Sequence, residues 1–315
     1  MQSKAKMKEC QKSICQNKNK RNLVFEMSEG RIRRTSYHVF PGIELVYNSI
    51  HVQSVEDTVT FGGNVIEICH CREGRMEFNL QDEFCYITPG DIIIVRARDI
   101  KGASYFPIGH YHGISVFIDV DRAPKCLSCF LDDVNVEPKS LAEKFCKAKQ
   151  CFIARSNPSF EHIFSEIYSV DEKIRTGYLK IKTLELLLFL SAMDIKQDEY
   201  DTRAVSDAQV TLAKEISEYL TEHMDDRFTL EQLSEYFHVS GTQIKTAFKA
   251  VYGVSFYSYI RTQKMESAAY MLEYTDKSIL EISGEHGYDN ASKFANAFKT
   301  VKGITPTEYR NRNKK

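Results

Sequence analysis

The C-terminal end of the chain contains one sequence pattern twice, at a constant offset of 50 residues. The segment Phe248–Ser255 returns as Phe298–Thr305, and Tyr259 returns as Tyr309. A fixed offset with matching apolar, glycine and aromatic positions indicates a duplicated supersecondary unit. This end of the chain must therefore fold into two similar copies of one small unit.

The residues around the first repeat predict two helices joined by a short turn. Thr229 and Gln232 can form a capping box at the start of one helix, and Ser240 and Gln243 can form a second at the start of the next. The turn between these helices is 238–240. A helix, a turn of three or four residues and a second helix form the helix-turn-helix unit that reads DNA.

The second copy has the same organisation, and a long helix joins the two. Gly287–Asp289 forms its turn, and Asn290 or Asp289 caps its second helix. Apolar spacing predicts a helix over residues 256–274, roughly 25–30 Å long at about 1.5 Å per residue. Major-groove faces recur about every 34 Å along B-DNA, so one chain could place both second helices in adjacent grooves.

These motifs resemble the AraC/XylS family of bacterial transcription regulators over about residues 208–312, one third of the chain. The resemblance rests on Leu233-Ser234, Val239-Ser240, Phe248-Lys249, Tyr252-Gly253, Tyr259-Ile260-Arg261, Ala268, Met271-Leu272, Ile279-Leu280-Glu281-Ile282, Gly287-Tyr288, Phe294, Phe298-Lys299, Gly303-Ile304-Thr305-Pro306 and Tyr309-Arg310. It implies binding to double-stranded operator DNA, with RNA polymerase as a partner. Lys264 stands where the family usually carries arginine, and Ser234 and Ser283 replace alanines.

Helix geometry divides the second helix of each copy into a buried and an exposed side. The residues left on the exposed sides are the predicted DNA contacts: Thr242, Lys245, Thr246, Lys249, Ala291, Ser292, Lys293, Asn296 and Lys299. The resemblance implies that bases are read by Thr242, Lys245 and Thr246 in the first copy and by Ala291, Ser292 and Asn296 in the second. Lysine suits guanine and asparagine suits adenine, while the flanking lysines are expected to hold phosphates.

The net charge of −1 conceals a segregation of charge. Residues 240–264 carry four basic side chains and no acidic one, and residues 290–315 carry seven basic side chains and only Glu308. The acidic residues concentrate on the first helix of each copy and on the helix before them. A basic face on an acidic body is the charge distribution expected of a phosphate-binding surface.

The first two hundred residues predict a different kind of domain. Short strands with Gly and Pro turns are indicated at residues 39–47, 64–71, 75–80, 92–95 and 114–118. Such a pattern favours a sandwich or barrel, and the turn 89–91 before an apolar strand looks like the cupin barrel that precedes many AraC-type modules. Helical patterns follow after residue 119. The predicted fold class is therefore α+β, with an N-terminal cupin-like β-barrel and appended helices.

Four segments are predicted along the chain. Residues 1–21 form a disordered basic tail, 22–193 a cupin-like domain for effector binding and dimerisation, 194–207 a polar linker, and 208–315 an all-α AraC-type DNA-binding domain. The sequence has no apolar core of a signal peptide and no run long enough to span a membrane. We therefore expect a cytoplasmic protein without membrane contact.

Residues 178–190 form a strongly apolar helix that needs a covering surface. The helix can pack on its own barrel, or residues 178–193 can form a homodimer, and both can hold together. The sequence leaves these alternatives open.

The nine cysteines and several histidines offer other sites. Cys126 and Cys129 have CxxC spacing, and Cys146 and Cys151 are near in sequence, which allows a zinc or thiol-redox site. The motif 110–112 looks like part of a cupin metal site, but the early strand offers 69–71, in which the two cysteines share a face and His70 does not. We predict no metal, no cofactor and no catalytic residue.

The predicted function is a non-enzymatic, ligand-responsive transcription regulator. Its barrel binds a small-molecule effector, for which Arg96, Tyr105, His110 and His112 are the predicted polar contacts. A metal-dependent cupin enzyme fused to a DNA module is the first alternative. A cysteine-based redox or metal sensor is the second.

Overall fold

The computed structural model describes residues 13–17, 20–27, 30–55, 63–80, 82–125, 127, 136–146, 151–154, 158–195, 205–223 and 228–313. These residues form two compact units that divide between residues 204 and 205. The first unit combines antiparallel strands with helices, and the described part of the second is built from seven helices. The α+β prediction is confirmed. Most of the predicted linker 194–207 lies outside the described residues.

Twelve strands and three α-helices form the described part of the first unit. The strands are β1 (Ser13–Asn17), β2 (Lys20–Met27), β3 (Gly30–Phe40), β4 (Ile43–His51), β5 (Ser54–Val55), β6 (Val65–Gly74), β7 (Met76–Leu80), β8 (Glu83–Ile87), β9 (Ile92–Arg96), β10 (Ile100–Tyr105), β11 (Tyr111–Asp119) and β12 (Phe152–Ala154). The helices are α1 (Pro138–Phe145), α2 (Pro158–Ser169) and α3 (Arg175–Ala192), with a short 3-10 helix at Ala97–Asp99.

The strands form two antiparallel sheets. One has eight strands in the order β1-β2-β3-β4-β11-β6-β9-β12, and the other has four in the order β5-β10-β7-β8. Alternation along each strand gives the larger sheet two apolar faces. One face packs with α1, α2 and α3 into a core that includes Ile68, Val116, Phe164 and Leu186. The opposite face packs against the smaller sheet.

The prediction that residues 1–21 are a disordered tail is wrong for the part of this segment that the structure describes. Residues Ser13–Asn17 and Lys20–Met27 are strands, and their pairing adds two strands to the edge of the larger sheet. Pairing satisfies the backbone hydrogen-bonding groups, and Lys20 and Arg21 are the basic residues of the predicted tail that lie in these described strands. Residues 1–12 and 18–19 lie outside the described residues.

Seven helices form the described part of the second unit. They are α4 (Asp207–Glu222), α5 (Leu230–Tyr236), α6 (Gly241–Tyr252), α7 (Phe256–Tyr274), α8 (Ile279–Glu285), α9 (Ala291–Lys302) and α10 (Pro306–Asn313). Helix α7 has the bounds predicted for the joining helix. Gly253 and Gly303 end α6 and α9 with φ of 75° and 77°, the left-handed conformation that glycine adopts without strain. Among the described residues, none of the helices is both long and apolar enough to cross a membrane.

Candidate nucleic-acid interface and cavity

The first helix-turn-helix comprises α5 and α6, and both helices begin with a complete capping box. The Gln232 backbone N–H donates to Thr229 Oγ1 at 3.2 Å, and the Thr229 N–H donates to Gln232 Oε1 at 2.9 Å. The same two bonds join Ser240 and Gln243, at 3.2 and 2.8 Å. Each box satisfies two backbone donors and fixes the residue at which its helix begins.

The second helix-turn-helix comprises α8 and α9. Ser278 and Glu281 form a capping box at α8. Asn290 Oδ1 accepts from the Ser292 N–H at 2.7 Å, so Asn290 caps α9, rather than Asp289. Both reading helices thus start with a polar side-chain cap, which is a full capping box at α6 and a single asparagine bond at α9.

The two turns are closed by equivalent hydrogen bonds. The Val239 N–H donates to the Ser234 carbonyl at 3.1 Å, and the Tyr288 N–H donates to the Ser283 carbonyl at 3.0 Å. The buried Ser283 hydroxyl adds a bond to the Tyr288 carbonyl at 3.2 Å. Serine at these positions, where the resembled family has alanine, therefore provides an additional turn contact in the second unit.

The reading helices bury the apolar stripe that the sequence predicts. Ile244, Ala247 and Phe248 of α6 are buried, as are Phe294 and Phe298 of α9. The exposed side chains on the other face are Thr242, Lys245, Thr246, Lys249, Ser292, Lys293, Asn296 and Lys299, and Ala291 is half-buried. This arrangement presents polar and basic groups on both helices. The roles of these residues in DNA binding remain predictions.

Contacts within the second unit join the linker helix α7 to α6 and to the end of α8. Lys264 Nζ of α7 donates to the His286 carbonyl at the end of α8 at 3.1 Å. Phe248 of α6 packs edge-on against Phe256 of α7, with ring centroids 5.1 Å apart. Lys249, at the end of α6, donates to the Gly253 carbonyl at 2.9 Å. A basic residue at this position also interacts favourably with the helix dipole.

The first unit contains a cavity of about 480 Å³ on the face of the larger sheet that is turned toward the smaller one. Its larger-sheet wall includes Arg34, Ser36, Asn48 and Ser115, and its apolar wall includes Phe106. The Asn48 amide donates to Ser115 Oγ at 3.1 Å. A concave site with a few convergent polar groups on an apolar background is the usual setting for a small ligand.

The four predicted pocket residues do not line this cavity. Arg96 pairs with Ile66 and so shares the helix-facing side of the larger sheet. Tyr105 follows Ser104, which lines the cavity, and therefore points to the opposite side of β10. Arg96 and Tyr105, predicted as effector contacts, therefore lie outside this cavity.

His110 and His112 are displaced from the cavity for the same reason. His112 is on the side of β11 opposite to Tyr111 and Ser115, which line it. His112 instead contacts His51, with ring centroids 4.9 Å apart, and His110 lies 6.5 Å from His112. His110 Nδ1 is 3.2 Å from the Ile108 carbonyl. His110 and His112, predicted as effector contacts, thus also lie outside this cavity.

Sequence reasoning missed the polar cavity wall because it did not fix the strand register. Arg34, Ser36, Asn48 and Ser115 occupy inward positions of β3, β4 and β11. Polar residues at alternate positions of an otherwise apolar strand are the signal that could have found them.

The cysteines and histidines that the structure describes do not form a metal centre. Within the described ranges, no group of three or more His, Cys, Asp or Glu side chains is arranged to hold a metal ion. Cys69, Cys71, Cys85, Cys146 and Cys151 are buried free thiols. Burial raises the pKa of Cys69 to about 12 and that of Cys146 to about 11. Cys126 and Cys129, the CxxC pair, lie outside the described residues.

Comparison with known proteins concerns mainly the C-terminal region. A family model described as a helix-turn-helix domain matches residues 233–312. The Tn10 TetD protein of Escherichia coli is 32% identical over 118 residues, which cover 38% of this chain and 83% of TetD. An HTH-type transcriptional regulator of Staphylococcus aureus is 32% identical over 96 residues, or 30% of this chain. The chain spans only 13% of the length of that relative.

Among solved structures, the C-terminal domain of AraT, a response regulator from Geobacillus stearothermophilus, is 30% identical. The match covers 33% of this chain and 87% of that domain, with a TM-score of 0.32. The helix-turn-helix match and the coverage of TetD agree with the motifs shared by the two helix-turn-helix units described above. The chain therefore belongs to the AraC family of helix-turn-helix transcriptional regulators.

Proposed function

We propose that this chain is a sequence-specific DNA-binding regulator of transcription that responds to a small-molecule effector. The observation that carries the proposal is the pair of helix-turn-helix units with polar-capped reading helices, matched turns and exposed polar reading faces. Two such faces in one chain suit two segments of major groove. The target is double-stranded operator DNA.

The proposed DNA contacts divide into two groups. Thr242, Lys245, Thr246, Ala291, Ser292 and Asn296 read bases, and Lys249, Lys293 and Lys299 hold phosphates. Each phosphate contact contributes about −0.9 to the slope of log affinity against log salt. Three such lysines therefore contribute roughly −2.7 to that slope.

We propose that the N-terminal unit is a cupin-like sensor domain in a cytoplasmic protein. The two-sheet architecture and the cavity of about 480 Å³ support a small-molecule effector in this unit. The polar contacts are those of the cavity wall, not the four residues predicted from the sequence. A ligand can control DNA binding only if it binds one arrangement of the protein better than another.

Helix α3 supports a homodimer through residues 178–193. Its buried face, which includes Leu179 and Leu186, packs into the core between the larger sheet and the helices of the first unit. Its other face leaves Ile181 and Phe189 exposed at 64% and 44%. Residues eight apart lie on the same side of a helix, so both side chains can enter one interface. Ile181→Glu is expected to shift the protein from dimer to monomer in sedimentation equilibrium, and a monomeric wild type would contradict this interface.

RNA polymerase is the proposed partner through which bound protein changes transcription. In vitro transcription from a selected operator, with and without this protein, tests the point. A change in transcript yield in either direction supports the proposal, and no change while the operator is occupied contradicts it.

The main test is selection of bound duplexes from random DNA by the full chain, followed by affinity measurement over a range of salt concentrations. We expect a recurring sequence with two half-sites and an affinity that falls steeply with salt. A control duplex with both half-sites scrambled should bind more weakly by a factor of at least about 10³. Equal affinity for both duplexes would exclude sequence-specific recognition.

A further inference from the structure

The charged residues of the cavity are separated along the strands. Arg34 on β3 pairs with Leu23 on β2 and with Asn48 on β4, and Arg21 pairs with Ser36 one row further along. Arg21 and Arg34 are thus diagonal neighbours on one face, about 7–8 Å apart between backbones. Both line the cavity. The two arginines therefore lie in adjacent rows, and Arg21 is in the row nearer to Glu44, because Ser36 pairs with Val46.

The carboxylates of the cavity lie beyond the Arg21 row, on the side away from Arg34. Glu44 precedes Asn48 by four residues on β4, which places it about 13 Å along the strand from the Arg34 row. Glu67 is in the same row as Glu44, through Phe117. Arg98 follows β9, whose Val95 pairs with Glu67, so the third arginine belongs to this end. The formal charge is +2 over the Arg34 and Arg21 rows and −1 at the Glu44 end, which is about 7 Å from the Arg21 row.

An apolar row lies directly beside the Arg34 row, on the side away from Arg21 and Glu44. Ile50 follows Asn48 by two residues and pairs with Tyr111, about 7 Å from the Arg34 row. The Phe106 ring lies 5.5 Å from the Tyr111 ring, and Phe78 is also part of this wall. Phe78 and Phe106 are each 1% exposed, so the cavity is closed there. The closed end of the cavity suits a ligand with a single ring better than a ligand with a long hydrocarbon chain.

We infer that the cavity binds a compact aromatic monocarboxylate, with its carboxylate against Arg34 and Arg21 and its ring among Ile50, Phe106 and Tyr111. Guanidinium groups bind carboxylates through paired, charge-assisted hydrogen bonds. Aromatic walls favour an apolar ring over a polyol, whose hydroxyl groups would lose their hydrogen bonds to water. The inference rests on the proposed function, because it names the chemical class of the effector.

Calorimetric titration of the full chain with phenylacetate, 3-phenylpropionate and indole-3-acetate tests the class. At least one of these acids is expected to bind, and phenylacetamide to bind at least about tenfold more weakly than phenylacetate, because a neutral amide lacks the charge-assisted bonds. Failure of all three acids to bind would overturn the inference. Equal binding of phenylacetate and phenylacetamide would overturn it as well.

Substitutions on β3 provide a matched pair that tests the site. Arg34→Gln is expected to weaken binding of the best acid by about ten- to a hundredfold. Arg33→Gln removes the same charge from an exposed position on the opposite face of the strand and is expected to change binding less than about twofold. Equal losses in both variants would overturn the inference, because a general charge effect would explain them.

Circular dichroism would show whether Arg34→Gln folds. If it does not fold, Arg21→Gln tests the same site. Arg21 is exposed on β2, the strand next to the edge strand β1, so Arg21→Gln should fold and still weaken binding. Glu44→Gln, at the opposite end, should leave binding unchanged or slightly stronger. A larger loss from Glu44→Gln than from Arg21→Gln would reverse the assigned orientation and overturn the inference.

Measuring operator affinity distinguishes a failure of this inference from a failure of the proposed function. Binding of an aromatic acid that depends on Arg34 but leaves operator affinity unchanged supports the site and removes the proposed switch. A change in operator affinity produced by oleate or glucose, with no binding of the aromatic acids, supports the switch and overturns the site. Fluorescence anisotropy of labelled operator with each compound distinguishes the two.

Discussion

Lys264 of α7 donates a hydrogen bond from Nζ to the carbonyl oxygen of His286, the residue that caps the C-terminus of α8, at 3.1 Å. The last carbonyl groups of a helix have no partner within the helix and need one elsewhere. A cation at this end also interacts favourably with the helix dipole. Lysine thus connects the linker helix to the second helix-turn-helix at a position where the resembled family usually has arginine.

Lys264→Met is expected to destabilise the second unit by about 1–3 kcal/mol, because it removes a charged donor from a part-buried acceptor. Urea unfolding of the full chain, followed by hydrogen exchange of the α8 amides, measures the loss. Lys277→Met is the control, because Lys277 forms an exposed ion pair with Glu285 of α8, at 2.7 Å, and such pairs contribute about 0–1 kcal/mol. Equal effects of the two variants would contradict a specific role for Lys264.

Asn296→Ala and Lys245→Ala are expected to change which base is preferred at one position of each half-site. A paired contact to a base edge contributes roughly 1–3 kcal/mol of discrimination. Lys299→Ala is the contrast, because loss of a phosphate contact should weaken all sequences alike and make the salt slope shallower by about 0.9. Affinities for a duplex library at two salt concentrations measure both effects. An unchanged preferred sequence for Asn296→Ala would show that α9 is placed differently on DNA.

Phe248→Ala is expected to destabilise the first helix-turn-helix by about 3–5 kcal/mol, the usual cost of a large cavity in a core. The Phe248 ring lies 5.0 Å from Tyr252, 5.1 Å from Phe256 and 5.3 Å from Tyr259. Tyr257→Ala is the control, because Tyr257 is 59% exposed and should change stability by less than about 0.5 kcal/mol. Thermal melts of both variants give the comparison, and similar melting temperatures would contradict the assigned core.

The second unit could be predicted closely because its signals are local. The caps at Thr229 and Ser240, the glycines at 253 and 303 and the apolar stripe around Phe248 each act within one or two turns of helix. The structure places all of them as the sequence indicates. Repetition at a fixed offset also allowed each copy to support the interpretation of the other.

The first unit was less predictable because its site depends on long-range pairing. Residues 39–47 were expected to form one strand region, but Pro41 and Gly42 make a hairpin turn between β3 and β4. Gly42 has φ of 70°, and an added Cβ would lie 2.7 Å from the Ala123 backbone nitrogen. A one-residue change in register exchanges the two faces of a strand. This is why Tyr105 was expected in the pocket that Ser104 actually lines.

Protonation of His70 is expected to make the first unit acid-sensitive. His70 is 3% exposed, and its ring stacks on Phe164 of α2 with centroids 4.1 Å apart. Burial lowers the pKa of His70 from 6.5, and the carboxylates of Glu161 and Asp91 oppose this effect without reversing it. His70 Nε2 lies 3.5 Å from Glu161 Oε1.

The sign of the effect follows from the lowered pKa. As the pH falls below 6.5, the unfolded chain takes up the proton before the folded chain does, so the stability contributed by neutral His70 is complete above pH 6.5 and is lost below it. The loss is at most about 1.4 kcal/mol per pH unit until the lower, folded-state pKa is reached. His51 and His112, whose pKa values burial also lowers, act in the same direction.

Urea unfolding of the full chain at pH 7.5 and pH 5.5 measures this dependence. In wild type the midpoint for the first unit should fall at the lower pH, and His70→Gln should reduce that fall, because an amide does not titrate in this range. His162→Gln is the matched control, since His162 is on the exposed side of α2, with 67% of its side chain accessible. A fall in His70→Gln as large as in wild type would show that other groups, such as His51 and His112, account for the acid sensitivity.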